Sequence, residues 1–68
     1  MPLIDVKLYE GRLDGATETE LIARITDAVA EVFGDSARAA TWVVLQEVPA
    51  TRWGIAGVPG KPPLSARG

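Results

Sequence analysis

The chain has 68 residues, 47% of them hydrophobic, with a net charge of −2 and neither cysteine nor histidine; it is one domain at most, without disulfides and without a zinc site of the usual nitrogen and sulfur ligands. A domain this short buries a modest share of its surface and is usually held by disulfides, a metal or oligomerisation, and only the last remains open to it. Lys7, Arg12, Arg24, Arg38, Arg52, Lys61 and Arg67 are dispersed, no apolar stretch is long enough to span a bilayer, and the start lacks the layout of a signal peptide, so the expectation is a cytoplasmic protein with neither nucleic-acid nor membrane partners.

Ile4, Val6 and Leu8 alternate with Asp5 and Lys7, the period of a half-buried strand over residues 3–9. Leu3 and Tyr9 on the second face are not polar, which points to a cover from another subunit. Glu10-Gly11-Arg12 leaves the strand, with Glu10 expected to brace the turn or an arginine, and Asp14-Gly15 is a turn signal. Thr17 and Glu20 have the spacing of a capping box, which predicts a helix from about Glu18 to Phe33, closed by Gly34. Leu21, Ile22, Ile25, Ala28, Val29, Val32 and Phe33 repeat at helical spacing and form one broad apolar face. Asp35 to Ala40 reads as a short connection. The run Thr41 to Val48 is a second strand, rich in β-branched and aromatic residues, and Pro49 ends it. Arg52 to Gly57 reads as a short hairpin or bent strand. From Val58 onward Pro59, Gly60, Pro62 and Pro63 exclude a helix, leaving an extended proline-rich tail over residues 58–68.

The fold class is therefore α/β, a single domain over residues 1–68. A helix-length crossover between two strands makes them parallel and the connection right-handed. One sheet face takes the helix; the other needs a partner, so the protomer is expected to oligomerise through its sheet.

The opening Met1-Pro2-Leu3-Ile4-Asp5-Val6-Lys7-Leu8-Tyr9-Glu10-Gly11-Arg12 resembles that of the 4-oxalocrotonate tautomerases. So do Thr41 to Pro49 and the Trp53-Gly54-Ile55-Ala56-Gly57 segment behind them. The resemblance covers residues 1 to about 57 and implies a tautomerase fold, in which β-α-β units pair into a four-stranded sheet and commonly build a hexamer as a trimer of dimers. It implies an isomerase that interconverts enol and keto forms of a 2-hydroxy-dienoate or enol acid without a cofactor. Processing removes Met1, and the freed Pro2 amine carries the proton. With Met1 attached, that nitrogen is a tertiary amide with no basicity. Arg12 would bind a substrate carboxylate, Trp53 would wall the pocket, and the site would draw on more than one subunit.

The chemistry suits these residues. A proton shuttle works best with a pKa near the working pH. An α-amine at about 7.7–8.0 starts closer to it than a lysine at about 10.4, and burial beside Trp53 with arginines nearby favours the neutral form further. Arg12 can grip a carboxylate bidentately.

One position departs from the family pattern. Trp42 stands where the best-studied members carry a second arginine, and an indole offers one N–H and no charge. A dicarboxylate such as 2-hydroxymuconate is thereby disfavoured against a monoacid with an apolar or aromatic tail, such as the enol of an arylpyruvate. Arg52 or Arg38 would supply the missing charge if either points into the pocket; the plainer reading makes both surface charges, and Trp42 and Trp53 interface anchors. Two alternatives stand beside the tautomerase reading. One is a non-catalytic oligomeric module. The other is dehalogenation, hydration or decarboxylation on the same platform, which usually needs a further carboxylate that no residue here obviously supplies.

Overall fold

A computed structural model describes residues 2–60. Strand β1, Leu3–Tyr9, leads through a turn into helix α1, Gly15–Phe33; a 3-10 turn, Asp35–Ala40, then delivers the chain to β2, Trp42–Val48. A shorter 3-10 turn, Ala50–Arg52, precedes a hairpin of β3, Gly54–Ile55, and β4, Val58–Pro59. Strands β1 and β2 pair in parallel from Leu3 opposite Trp42 to Tyr9 opposite Val48, as a helical crossover requires. This is the expected β-α-β unit with a C-terminal antiparallel hairpin. The hairpin takes in Val58 and Pro59, the first residues of the expected extended stretch; residues 61–68 of that tail lie outside the described residues.

The start of α1 differs from the sequence reading. Asp14 is the N-cap: its Oδ1 accepts the Thr17 N–H at 2.9 Å, and the Thr17 hydroxyl accepts the Asp14 N–H at 2.8 Å. The box is thus built by Asp14 and Thr17, three residues ahead of the Thr17–Glu20 pair. Asp14 is an intrinsically better cap than threonine, and its choice adds a turn to the helix. Glu20 instead pairs with Arg24 at 2.8 Å on the outer surface.

The end of α1 differs as well. Leu21, Ile25 and Val29 are half-buried, but Val32 and Phe33 are 75% and 73% exposed. Nineteen helical residues span about 28 Å at 1.5 Å each, whereas a seven-residue strand covers about 23 Å. The last helical turn therefore overhangs the sheet at the end where the strands begin.

The strands sort their side chains by parity. Ile4, Val6, Leu8, Val43 and Leu45 are half-buried on the helix side. The other face holds Leu3, Trp42 and Val44, all exposed, and a polar cluster in which Lys7 Nζ donates to Asp5 and to Gln46 at 3.2 Å and Gln46 Nε2 donates to Asp5 at 3.0 Å. Among the described residues only Ala30 and Ala50 are buried and no side chain is sealed completely. One protomer therefore has no closed core.

Candidate active site

The residues singled out in the sequence fall at the two ends of the parallel sheet. At the end where the strands start, Pro2 is half-buried and its carbonyl accepts the Trp42 N–H at 3.0 Å. That bond fixes the residue just ahead of β1 against the first residue of β2. The Trp42 ring is exposed on the open face, across from Leu3.

At the opposite end lie Arg12, Arg52 and Trp53. The Trp53 indole donates to the Val48 carbonyl at 3.1 Å, and its ring meets Tyr9 edge-on with centroids 5.0 Å apart. The hairpin behind it closes on Gly60, whose N–H donates to the Trp53 carbonyl at 2.8 Å. A Cβ on Gly60 would lie 2.7 Å from the Tyr9 hydroxyl and 2.9 Å from the Ala50 carbonyl oxygen, so glycine is required there by close approach.

Among the described residues, Lys7, Arg24 and Arg38 are each in an ion pair; Arg12 and Arg52 are not. Both of these exposed guanidiniums sit at the end of the sheet that carries the Tyr9–Trp53 pair. Arg38 is differently placed. It lies in the 3-10 turn ahead of β2, with Nη1 on Asp27 at 2.5 Å and Nε on Asp35 at 3.1 Å. These hydrogen bonds, to Asp27 first and Asp35 second, raise its already high pKa. Its forks are spent on tying the turn to α1.

The structure therefore places Pro2 beside Trp42 at one end of the sheet and Arg12, Arg52 and Trp53 at the other, and keeps the two groups apart within a protomer. The length of β1, at about 3.3 Å per residue, places roughly 20 Å between them.

Two participants escaped the sequence reading. In the sequence Tyr9 reads only as a non-polar residue on the second face, yet it forms the aromatic pair with Trp53. The turn at Glu10–Leu13 is braced by a carboxylate, but by Glu47 rather than Glu10. Glu47 Oε2 accepts the N–H groups of Gly11, Arg12 and Leu13 at 2.7, 3.1 and 3.3 Å. The available signal was parity: Glu47 shares a strand face with Val43 and Leu45, although at the end of β2 it stays exposed.

No group of three or more potential metal ligands occurs among the described residues, and none of their helices is long and apolar enough to cross a membrane. The family described as tautomerase enzyme matches residues 2–61. A probable tautomerase of Ralstonia nicotianae is 48% identical over 59 residues, which cover 87% of this chain and 81% of the relative. Probable tautomerases of Staphylococcus aureus strain Mu50 and of Staphylococcus saprophyticus are 41% and 38% identical over 58 residues, 85% of this chain and 92% of each relative. No solved structure matches. A parallel β-α-β unit with its C-terminal hairpin, matched by the family from Pro2 onward, makes this chain a member of the tautomerase family of isomerases.

Proposed function

We propose that the chain catalyses enol–keto interconversion of an enol acid bearing one carboxylate and an apolar tail, with Pro2, freed from Met1, as the general acid and base. The observation that carries this reading is the separation of the two residue groups. Pro2 is pinned to the start of the sheet, while Arg12 and Arg52, in no ion pair among the described residues, and the aromatic pair lie at its far end. A pocket holding all of them joins one copy's Pro2 to another copy's Arg12 and Trp53. The exposed Leu3, Trp42 and Val44 on the open sheet face favour the same assembly, because a second copy removes them from water. A hexamer built from three dimers is the proposed form.

In such a pocket the substrate carboxylate lies against Arg12, with Arg52 as the second positive charge, and the tail packs on Trp53 and Trp42. Pro2 takes the enol proton and returns it to carbon. Its ring fixes the direction of the nitrogen lone pair, and the β1–β2 ladder fixes the ring. Arg38, held by Asp27 and Asp35, is the weaker candidate for the charge that Trp42 does not supply.

The test is ketonisation of a small panel of enol acids, one of them the enol of phenylpyruvate, by wild type and Pro2→Ala. The mass of the purified chain is measured first, to establish that Met1 is gone. General acid–base catalysis contributes about 10²–10⁴-fold, so Pro2→Ala is expected to lose about that much in kcat with its assembly intact. Equal rates for the two proteins remove Pro2 from the chemistry.

A further inference from the structure

We propose that Glu47 is a positioning residue for Arg12: its carboxylate holds the turn that aims the guanidinium at the substrate carboxylate. The proposal rests on the reading of Arg12 as the carboxylate-binding residue and adds a part to it.

The turn between β1 and α1 has a defined backbone at both ends. The Glu10 N–H donates to the Val48 carbonyl at 3.0 Å, extending the parallel ladder one step past Tyr9. Asp14 caps the helix. Between them Gly11 turns the chain at a φ of +96°, a conformation glycine adopts without a steric penalty. This leaves the N–H groups of Gly11, Arg12 and Leu13 converging on one point. Successive converging N–H groups form an anion-binding concavity, and Glu47 Oε2 occupies it with three contacts.

The contact to the Arg12 N–H, at 3.1 Å, is the part that matters for function. Arg12 is exposed and in no ion pair among the described residues. Among the described residues no hydrogen bond or ion pair holds its guanidinium, so its direction is set by the backbone from which it leaves. That backbone is tied to β2 through the side chain of Glu47, and hydrogen bonds to an ionised acceptor are about twice as strong as neutral ones. Charge works the same way: an anion beneath the turn offsets the partial positive charge of its N–H groups without pairing the guanidinium. Glu47 so engaged is also a poor candidate for activating water, which favours proton transfer over hydration or dehalogenation at this site.

The experiment compares KM and kcat for ketonisation of phenylpyruvate enol in wild type, Arg12→Ala, Glu47→Ala, Glu47→Asp, Glu47→Gln and the double variant Arg12→Ala/Glu47→Ala. Misplacing a binding group by about 1 Å costs up to about 10²-fold. Glu47→Ala is expected to raise KM about 5-fold or more, with kcat within about twofold of wild type. Glu47→Asp keeps the charge but draws the carboxylate back by about one bond, 1.5 Å, and is expected to raise KM in the same direction. Glu47→Gln keeps an acceptor oxygen at the same reach but gives up the charge, and is expected to recover part of the loss. The double variant should match Arg12→Ala alone, because a turn with no guanidinium to aim has nothing left to lose.

An unchanged KM in Arg12→Ala overturns the carboxylate-binding reading and this proposal with it. A raised KM in Arg12→Ala beside an unchanged KM in Glu47→Asp overturns the proposal alone, and Glu47→Asp decides even if Glu47→Ala does not assemble. Additive effects in the double variant, or a fall in kcat that simply follows lost folded protein, also overturn it.

Discussion

Trp53 offers a sharp test of how the far end of the sheet is held, because two substitutions separate its ring from its N–H. Trp53→Phe keeps an aromatic ring against Tyr9 and removes the hydrogen bond to Val48. The Val48 carbonyl also accepts the Glu10 N–H at 3.0 Å, so it is not orphaned, and the cost should sit low in the usual range, about 0.5–1 kcal/mol. Trp53→Ala loses the ring too. A half-buried indole withdraws roughly 100 Å² from water, about 2.5 kcal/mol at 25 cal/mol per Å², and the edge-on contact with Tyr9 adds about 0.5–1.5 kcal/mol. The alanine variant should therefore be destabilised by about 4 kcal/mol. The assay is urea unfolding followed by far-UV circular dichroism, with all three proteins at one concentration, since association contributes to apparent stability. Comparable losses in the two variants would show that the hydrogen bond, not the ring, anchors the hairpin. A cost below about 1 kcal/mol for Trp53→Ala would refute the packing argument altogether.

Other substitutions probe the remaining supports. Asp14→Ala removes the observed cap of α1 and is expected to cost about 1 kcal/mol; Glu20→Ala loses only an exposed pair with Arg24 and should cost about 0.3–0.5 kcal/mol, so paired thermal melts distinguish the two capping assignments. Gly60→Ala pushes a methyl against the Ala50 carbonyl oxygen, a backbone atom 2.9 Å away, and should cost about 1–3 kcal/mol, visible as a lower melting temperature and a changed near-UV signal from Tyr9 and Trp53. Ala56 holds a φ of +54° ahead of Gly57 at +81° in the two-residue hairpin turn. Ala56→Asn creates the Asn-Gly pair that such turns favour and should stabilise by about 0.5–1 kcal/mol, read as a higher urea midpoint. Arg52→Ala is expected to raise KM for an enol acid several-fold and Arg38→Ala to leave it near wild type, since Arg38 already holds two carboxylates; the reverse order would move the second positive charge to the other end of the sheet.

The protomer's plan was legible in the sequence because its signals are local: alternation in residues 3–9, helical spacing from Leu21, a β-branched run ending at Pro49. The misreadings arose where a local pattern competes with geometry elsewhere. Thr17 and Glu20 have capping spacing, but Asp14 caps first and turns Thr17 into its partner. Val32 and Phe33 continue the apolar face correctly, yet the helix outruns the strand that would cover them. The site shows the same division more strongly. Pro2, Arg12 and Trp53 stand out as residue types, but which end of the sheet each one reaches follows only from combining their order with the parallel pairing of the strands. A parallel pair sends both strands the same way, so the residue that begins β1 and the residues that follow β1 and β2 are separated by the whole length of the sheet. For the proposed proton transfer, that separation makes assembly a condition of the chemistry as well as of stability. Glu47 was harder to find for a related reason: its partners are three backbone N–H groups more than thirty residues upstream, which no side-chain pattern records. Its parity with Val43 and Leu45 is the one trace it leaves: at the end of the strand the helix-facing side opens to solvent, and a carboxylate there reaches the backbone of the neighbouring turn.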